Sequence, residues 1–227
     1  MVATAAELAQ AKLPRSGRAF QLPQGVNFDH FATPQPVPPE LAGLPKPVIG
    51  FAGGVSECCD IELIRAIATA NGSGSVVLVG PVSIDVSGLE LPNVHVLGSR
   101  PYARLPAYVQ AFDVGIIPYV LNEWTKSVDP LKLLEYVAAG VPVVSTPIPE
   151  VLKYASAIEL AAEPDAFARA AMRAAATDSP ELRNARQRVA RENTWERRAA
   201  QFLAIVEDLV SSERDGGSAA AAAVPTS

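Results

Sequence analysis

"SVDPLKLLEYVAAGVPVVST", residues 127–146, decides the fold. A proline opens an apolar stretch of helical period. Gly140 closes it, and the chain runs directly into a β-branched segment. A helix feeding a continuous apolar strand is half of a parallel α/β repeat. Pro130 suits the first helical position, where no amide donor is needed. Asp129 before it reads as the N-cap, and Gly140 as the stop. Lys132 and Glu135 interrupt the apolar pattern three residues apart. One reading is an exposed ion pair, worth a few tenths of a kcal/mol. The other is a helix start that faces a charged ligand. A lysine in the first turn opposes the positive end of the helix dipole, and an anion in front of the helix would resolve that conflict. A carboxylate one turn deeper can accept two hydroxyl hydrogen bonds, as a ribose offers. Spacing alone leaves the two readings level.

Working outward, the same alternation recurs. Strands are expected at 47–54 (PVIGFAGG), 75–81 (SVVLVGP), 93–99 (NVHVLGS), 113–119 (DVGIIPY), 141–146 (VPVVST) and 157–160 (AIEL). Helices are expected at 60–71, 103–112 and 130–140, with more filling 164–210. About six continuous apolar strands alternating with helices predict a doubly wound parallel sheet covered on both faces. This domain is expected to span 48–210, its C-terminal helices included. Residues 2–13 read as a short helix, and 20–31 as a strand followed by a turn. Six prolines within 32–47 read as a flexible linker. The low-complexity segment 211–227 is expected to be a disordered tail.

Composition narrows the partners. The chain has 227 residues, 49% of them hydrophobic, and a net charge of -5, enough for a substantial core. That acidity and the lack of a basic stripe disfavour nucleic acid. The longest apolar runs are strand-sized, so none spans a membrane, and the N-terminus lacks a secretory pattern. The two cysteines, Cys58 and Cys59, are adjacent. That spacing fits neither a zinc site nor a thioredoxin-type pair, so they read as small packing residues in a reduced cytoplasm. No cluster is spaced for a metal. His30 and His95 have no nucleophile or acid nearby in sequence. Tyr102 reads equally as packing or as cover for a base, and Trp195 as packing of a terminal helix.

Open parallel sheets bind ligands beyond the carboxyl ends of their strands. Those ends carry Gly53-Gly54, Gly80-Pro81, "GSRPY" (98–102), the loop "PYVLNEWTKSVDP" (118–130) and "STPIPE" (145–150). Glycines at three of these ends permit close backbone approach to a ligand, which favours a nucleotide or phosphorylated ligand over a bare scaffold. A dehydrogenase reading fails, because "GFAGGVSE" does not match G-x-G-x-x-G.

With these residues in view, "PLKLLEYVAAGVPVVST" resembles the donor-binding signature of GT-B-fold glycosyltransferases, in the large family-4-like group (glycosyl transferases group 1) of retaining enzymes. "LPQGVNFDHF", "VIGFAGG", "VVLVGP", "LPNVHVLGSRPYARLPAYVQAFDVGIIPY" and "NTWERRAAQFL" occur in that family's order and cover residues 20–210. The nearest likeness is to the bacterial exopolysaccharide and teichuronic-acid type. The resemblance implies a C-terminal, Rossmann-like half that binds a nucleotide-sugar donor, a UDP-sugar or another NDP-sugar, without a metal. By the same resemblance Glu135 holds the ribose hydroxyls. The 98–101 loop, with Ser99 and Arg100, meets the nucleobase. Gly53 and Gly54 face the diphosphate, together with Lys132 and the helix start at Pro130 and Leu131, and Gly80 is a further substrate-binding candidate at its strand end. The acceptor would be a saccharide or lipid-linked. The location would be cytoplasmic, with at most peripheral association at the inner membrane.

The sequence departs from the family pattern at three places. The glutamate seven positions before Glu135's counterpart, which touches the donor sugar, falls on Ser127; Asn122 or Glu123 is the expected substitute. An arginine and a lysine after the first strand fall on Gly54 and Cys58, and Lys132 and Lys126 are the expected catalytic cations in compensation. The acceptor-binding half is expected to be missing, with 1–31 a remnant of it and the interdomain turn, so that either the chain is a fragment or a separate polypeptide supplies the N-terminal half. By this reading the chain alone transfers no sugar. The alternative is a truncated, non-catalytic nucleotide-binding domain acting with a partner chain.

Overall fold

The computed structural model describes residues 1–11 and 19–221. A small N-terminal unit comes first: β1 (Val2–Ala3), α1 (Ala6–Ala11) and β2 (Phe20–Gln21), with β1 and β2 parallel. After α2 (Phe28–Ala32) the main domain follows. Its elements are β3 (Val48–Ala52), α3 (Ile61–Ala70), β4 (Ser75–Val79), β5 (Val94–Gly98), α4 (Leu105–Gln110), β6 (Val114–Ile117), α5 (Leu131–Ala138), β7 (Val143–Ser145), α6 (Pro149–Leu152) and β8 (Glu159–Leu160). Three helices finish it: α7 (Pro164–Thr177), α8 (Pro180–Arg191) and α9 (Trp195–Ala221).

The six main strands are all parallel, in the order β5-β4-β3-β6-β7-β8. This is the expected doubly wound sheet. Every residue of β3, β4, β6 and β7 is buried, as continuous Val/Ile/Leu runs require when helices cover both faces. The order reverses between β3 and β6, and a crevice for ligands opens beyond the carboxyl ends at such a reversal. Two backbone hydrogen bonds hold the loop after β3 to the end of β6: Asp60 N–H to Pro118 O (2.7 Å) and Val120 N–H to Cys58 O (2.8 Å). Asp60 also caps α3, its carboxylate accepting from the amides of Glu62 and Leu63.

Helix α5 is seated by Tyr136. Its ring lies where a side chain at Gly115 would be, and its hydroxyl accepts the Ala52 N–H at 2.7 Å. The buried side of α5 is thus fixed against β3 and β6. That orientation decides where Lys132 and Glu135 point.

Several local expectations change. The helix expected over 2–13 is a two-residue strand followed by α1, because Val2–Ala3 pairs with Phe20–Gln21, a contact invisible to local propensity; residues 12–13 lie outside the described residues. The turn expected before residue 31 contains α2, nucleated by the Asn27 side chain accepting the His30 N–H. The proline-rich segment 32–47 has no strand or helix, yet it lies against the domain: Leu41 is buried, Gln35 N–H bonds Gln110, and Glu40 meets Arg100 and Tyr108. The tail expected to be disordered from 211 is helical backbone to Ala221; residues 222–227 lie outside the described set. The N-terminal unit is bound to the domain through Glu150, whose buried carboxylate accepts from Ala6 N–H (2.8 Å) and Gln21 Nε2. Val26 bridges to Thr194 at the start of α9. Among the described residues no helix is long and apolar enough to cross a membrane.

Candidate nucleotide site

The site forms where β3, β4 and β6 end. Gly53 and Gly80 have φ of +154° and +149°, values only glycine adopts readily. The close approach is made by the protein itself. A Cβ on Gly80 would fall 1.9 Å from the Gly53 carbonyl oxygen, and one on Gly53 would fall 2.7 Å from Lys132 Cε. The two turns stack edge to edge, and the Lys132 stem lies over the first. Gly54 differs: a Cβ there would meet only Pro81, at ordinary contact distance. Gly54 is exposed and leaves open space in front of the turn.

Pro130 occupies the N-cap of α5 with extended backbone, and Leu131 is the first helical residue. Asp129 therefore does not cap the helix. Its carboxylate accepts the Gln24 N–H at 2.8 Å instead, and burial pushes its pKa up. The competing partner is 105 residues away in sequence, so local pattern alone could not place it. With no side chain on the helix start, its first amides stay available to a ligand.

Lys132 reaches back from that first turn to the end of β3. Its ammonium donates to the Tyr119 hydroxyl and lies over the rings of Phe51 (5.1 Å) and Tyr119 (4.8 Å). Burial lowers its pKa, opposed by Cys59, Glu135 and Cys58. Glu135 is only 7% exposed. Burial raises its pKa to about 7, and the Lys132 charge works against that rise. Among the described residues the two form no salt bridge, so the exposed ion pair is not what this spacing encodes. The Glu135 carboxylate has no hydrogen-bond partner among the described residues either. Its oxygens are not sealed off, since Thr146 Oγ1 is the one fully buried side-chain polar atom without a partner among the described residues; the carboxylate is nearly buried yet opens on the crevice. Such a group is a candidate for ligand recognition.

Other residues singled out from sequence are placed differently. Arg100 is engaged by the protein: Nε donates to Tyr108 Oη (2.8 Å), and the guanidinium also bonds the Leu97 and Ser99 carbonyls and Glu40. Ser99 is exposed, with its carbonyl used by Arg100. Lys126 pairs with Glu123 on the surface and feels Glu7 of α1, rather than joining Lys132. Asn122 and Thr125 cap each other reciprocally, side chain to backbone (2.9 and 3.1 Å). They order the turn that presents Glu123 and Ser127. Cys58 and Cys59 are buried as expected, and Cys59 also flanks Lys132. Sequence reasoning passed over Tyr119 and Phe51, whose rings house Lys132. Phe51 lies near the end of β3 and Tyr119 just past the end of β6, and only the fold brings them to one lysine.

The family model described as Glycosyl transferases group 1 matches residues 46–177. A relative from Bacillus subtilis (strain 168), the putative teichuronic acid biosynthesis glycosyltransferase TuaH, is 35% identical over 136 residues. That match covers 57% of this chain and 34% of the relative. Among solved structures, Anabaena Alr3699/HepE in complex with UDP and glucose aligns with a TM-score of 0.65 at 18% identity, over 92% of this chain and 62% of that one. A glycosyltransferase from Rickettsia africae ESF-5 aligns with a TM-score of 0.70 at 14% identity, over 92% and 63%. At such identities the likeness is one of fold. The chain spans about a third of the curated relative and about three fifths of these solved chains.

Proposed function

Because the chain belongs to the glycosyl transferases group 1 family, we propose that its carboxyl-end crevice binds a nucleotide-sugar and presents it for glycosyl transfer. The observation that carries this reading is Glu135, a nearly buried carboxylate with no donor among the described residues, one helical turn from Lys132. The 2′ and 3′ hydroxyls of a ribose supply the missing donors. The diphosphate then lies before Gly54, the open start of α5 and Lys132. As the sugar–phosphate bond breaks, negative charge grows on the departing diphosphate. The helix amides and the lysine are fixed in advance to meet it. Their low-dielectric surroundings make that stabilisation larger than in water. No step in this scheme calls for a metal.

Sugar transfer also needs an acceptor, which we take to be a saccharide or a lipid-linked saccharide of a surface polysaccharide. An acceptor-binding half completes the site, with the reaction on the cytoplasmic side and, for a lipid-linked acceptor, peripheral to the inner membrane. Retention of anomeric configuration is part of the same proposal. The test is a coupled assay for released nucleoside diphosphate, run with UDP- and GDP-sugars, saccharide acceptors and an added N-terminal half. Release that requires donor, acceptor and both halves is expected. No release in any combination would contradict the transferase reading.

A further inference from the structure

If Glu135 holds the ribose, the base must lie close by, because C1′ adjoins the carbon that bears the 2′ hydroxyl. The loop at the end of β5 borders the same crevice, its Gly98 carbonyl accepting the Gly80 N–H at 2.9 Å, yet the Arg100 side chain is already used. Arg100 spends its donors on Tyr108, Glu40 and two carbonyls. What the loop leaves free is an aromatic ring. Tyr102 is 50% exposed, and its position is set from behind. His30 of α2 stacks on it at 4.8 Å with 26° between the planes. The buried Phe31 meets it edge-on at 5.9 Å. His30 Nε2–H donates to the Tyr102 carbonyl at 3.2 Å.

Helix α2 packs on both α4 and α5, which places this cluster between the β5 end and Glu135. Consistent with that placement, the Tyr102 phenol is pushed up by burial and then by the Glu135 carboxylate. A ring already held by two neighbours loses little freedom when a planar ligand covers it. Among the described residues the other exposed large aromatics sit elsewhere: Trp124 in the 118–130 loop, and Trp195 and Phe202 in α9.

We propose that the exposed part of the Tyr102 ring, backed by His30, is the surface on which the nucleobase of the bound nucleotide stacks. The inference rests on the nucleotide reading above. Stacking is tolerant of base identity, so Tyr102 supplies affinity for the base while the polar edge of the loop discriminates between bases.

Calorimetric titrations with UDP, GDP and inorganic pyrophosphate test this on the wild type, Tyr102→Ala, Tyr102→Phe and His30→Ala. Tyr102→Ala is expected to weaken UDP and GDP roughly 5- to 150-fold, more for the larger purine, and to leave pyrophosphate unchanged. Tyr102→Phe keeps the ring and is expected to bind within about twofold of wild type, by the same stacking argument. His30→Ala, which frees the ring, is expected to fall between the two. Wild-type affinity for both nucleotides in Tyr102→Ala overturns the inference while sparing the nucleotide reading. Equal loss of pyrophosphate also overturns it, since the residue would then only hold the loop. A wild type that binds neither nucleotide overturns both.

Discussion

Lys132→Ala is expected to remove most of the affinity for a nucleoside diphosphate and to leave affinity for the bare nucleoside nearly intact. The lysine is assigned to the phosphates, so its loss should register only when phosphates are present. Charge-assisted hydrogen bonds of this kind contribute about 1.5–3 kcal/mol, or roughly 10- to 150-fold in Kd. Truncation also empties the space over Gly53 and between the Phe51 and Tyr119 rings. Lys132→Met, which keeps the stem and removes the charge, separates these effects. It should reproduce the loss for the diphosphate without a fall in Tm. Titration of each variant with UDP and with uridine reads the difference directly. Equal losses for both ligands would make Lys132 a structural residue.

Glu135→Gln should act on binding and on stability in opposite directions. Its hydrogen bonds to the ribose are common to nucleoside and nucleotide, so both should weaken, by about 1.5–3 kcal/mol. Stability follows from the raised pKa. Folding moves the carboxyl from its ordinary 4.5 to about 7. Between those values the folded chain holds a proton that the unfolded chain has released. The favourable contribution is complete below pH 4.5 and is lost as pH rises through 7. At pH 8 the unliganded protein carries a buried charge that costs on the order of 3 kcal/mol. Glu135→Gln removes this dependence. Its Tm should vary less between pH 5 and pH 8 and should exceed that of the wild type at pH 8, while its nucleotide affinity falls. A variant both less stable and weaker in binding at pH 8 would mark Glu135 as an ordinary core group.

The parallel sheet was legible because its signal is local and repeated. The Val/Ile runs of β3, β4 and β6 and the stop at Gly140 carry the alternation in the chain itself. The unusual pairing of Lys132 with Glu135 was equally visible, since α5 stays helical in any environment that buries Leu133, Leu134 and Val137. What that pairing means was not visible. It depends on Tyr119, Phe51 and Gly53, which only the sheet order brings to the lysine. The same holds for Asp129, drawn off the helix by Gln24, and for Arg100, drawn onto Tyr108 and Glu40. Short elements such as β1 and α2 escaped because two to five residues carry no period. They are held by distant pairing, or by one cap at Asn27.

The measurement that bears most directly on the central claim is an isothermal titration of the purified chain with UDP and then GDP, up to millimolar concentration, beside Glu135→Ala. The account predicts saturable one-to-one binding of at least one of them, UDP first, that Glu135→Ala weakens by about 1.5–3 kcal/mol. No binding of any nucleoside diphosphate at millimolar concentration, or binding that Glu135→Ala leaves untouched, would contradict a nucleotide site at the carboxyl end of this sheet.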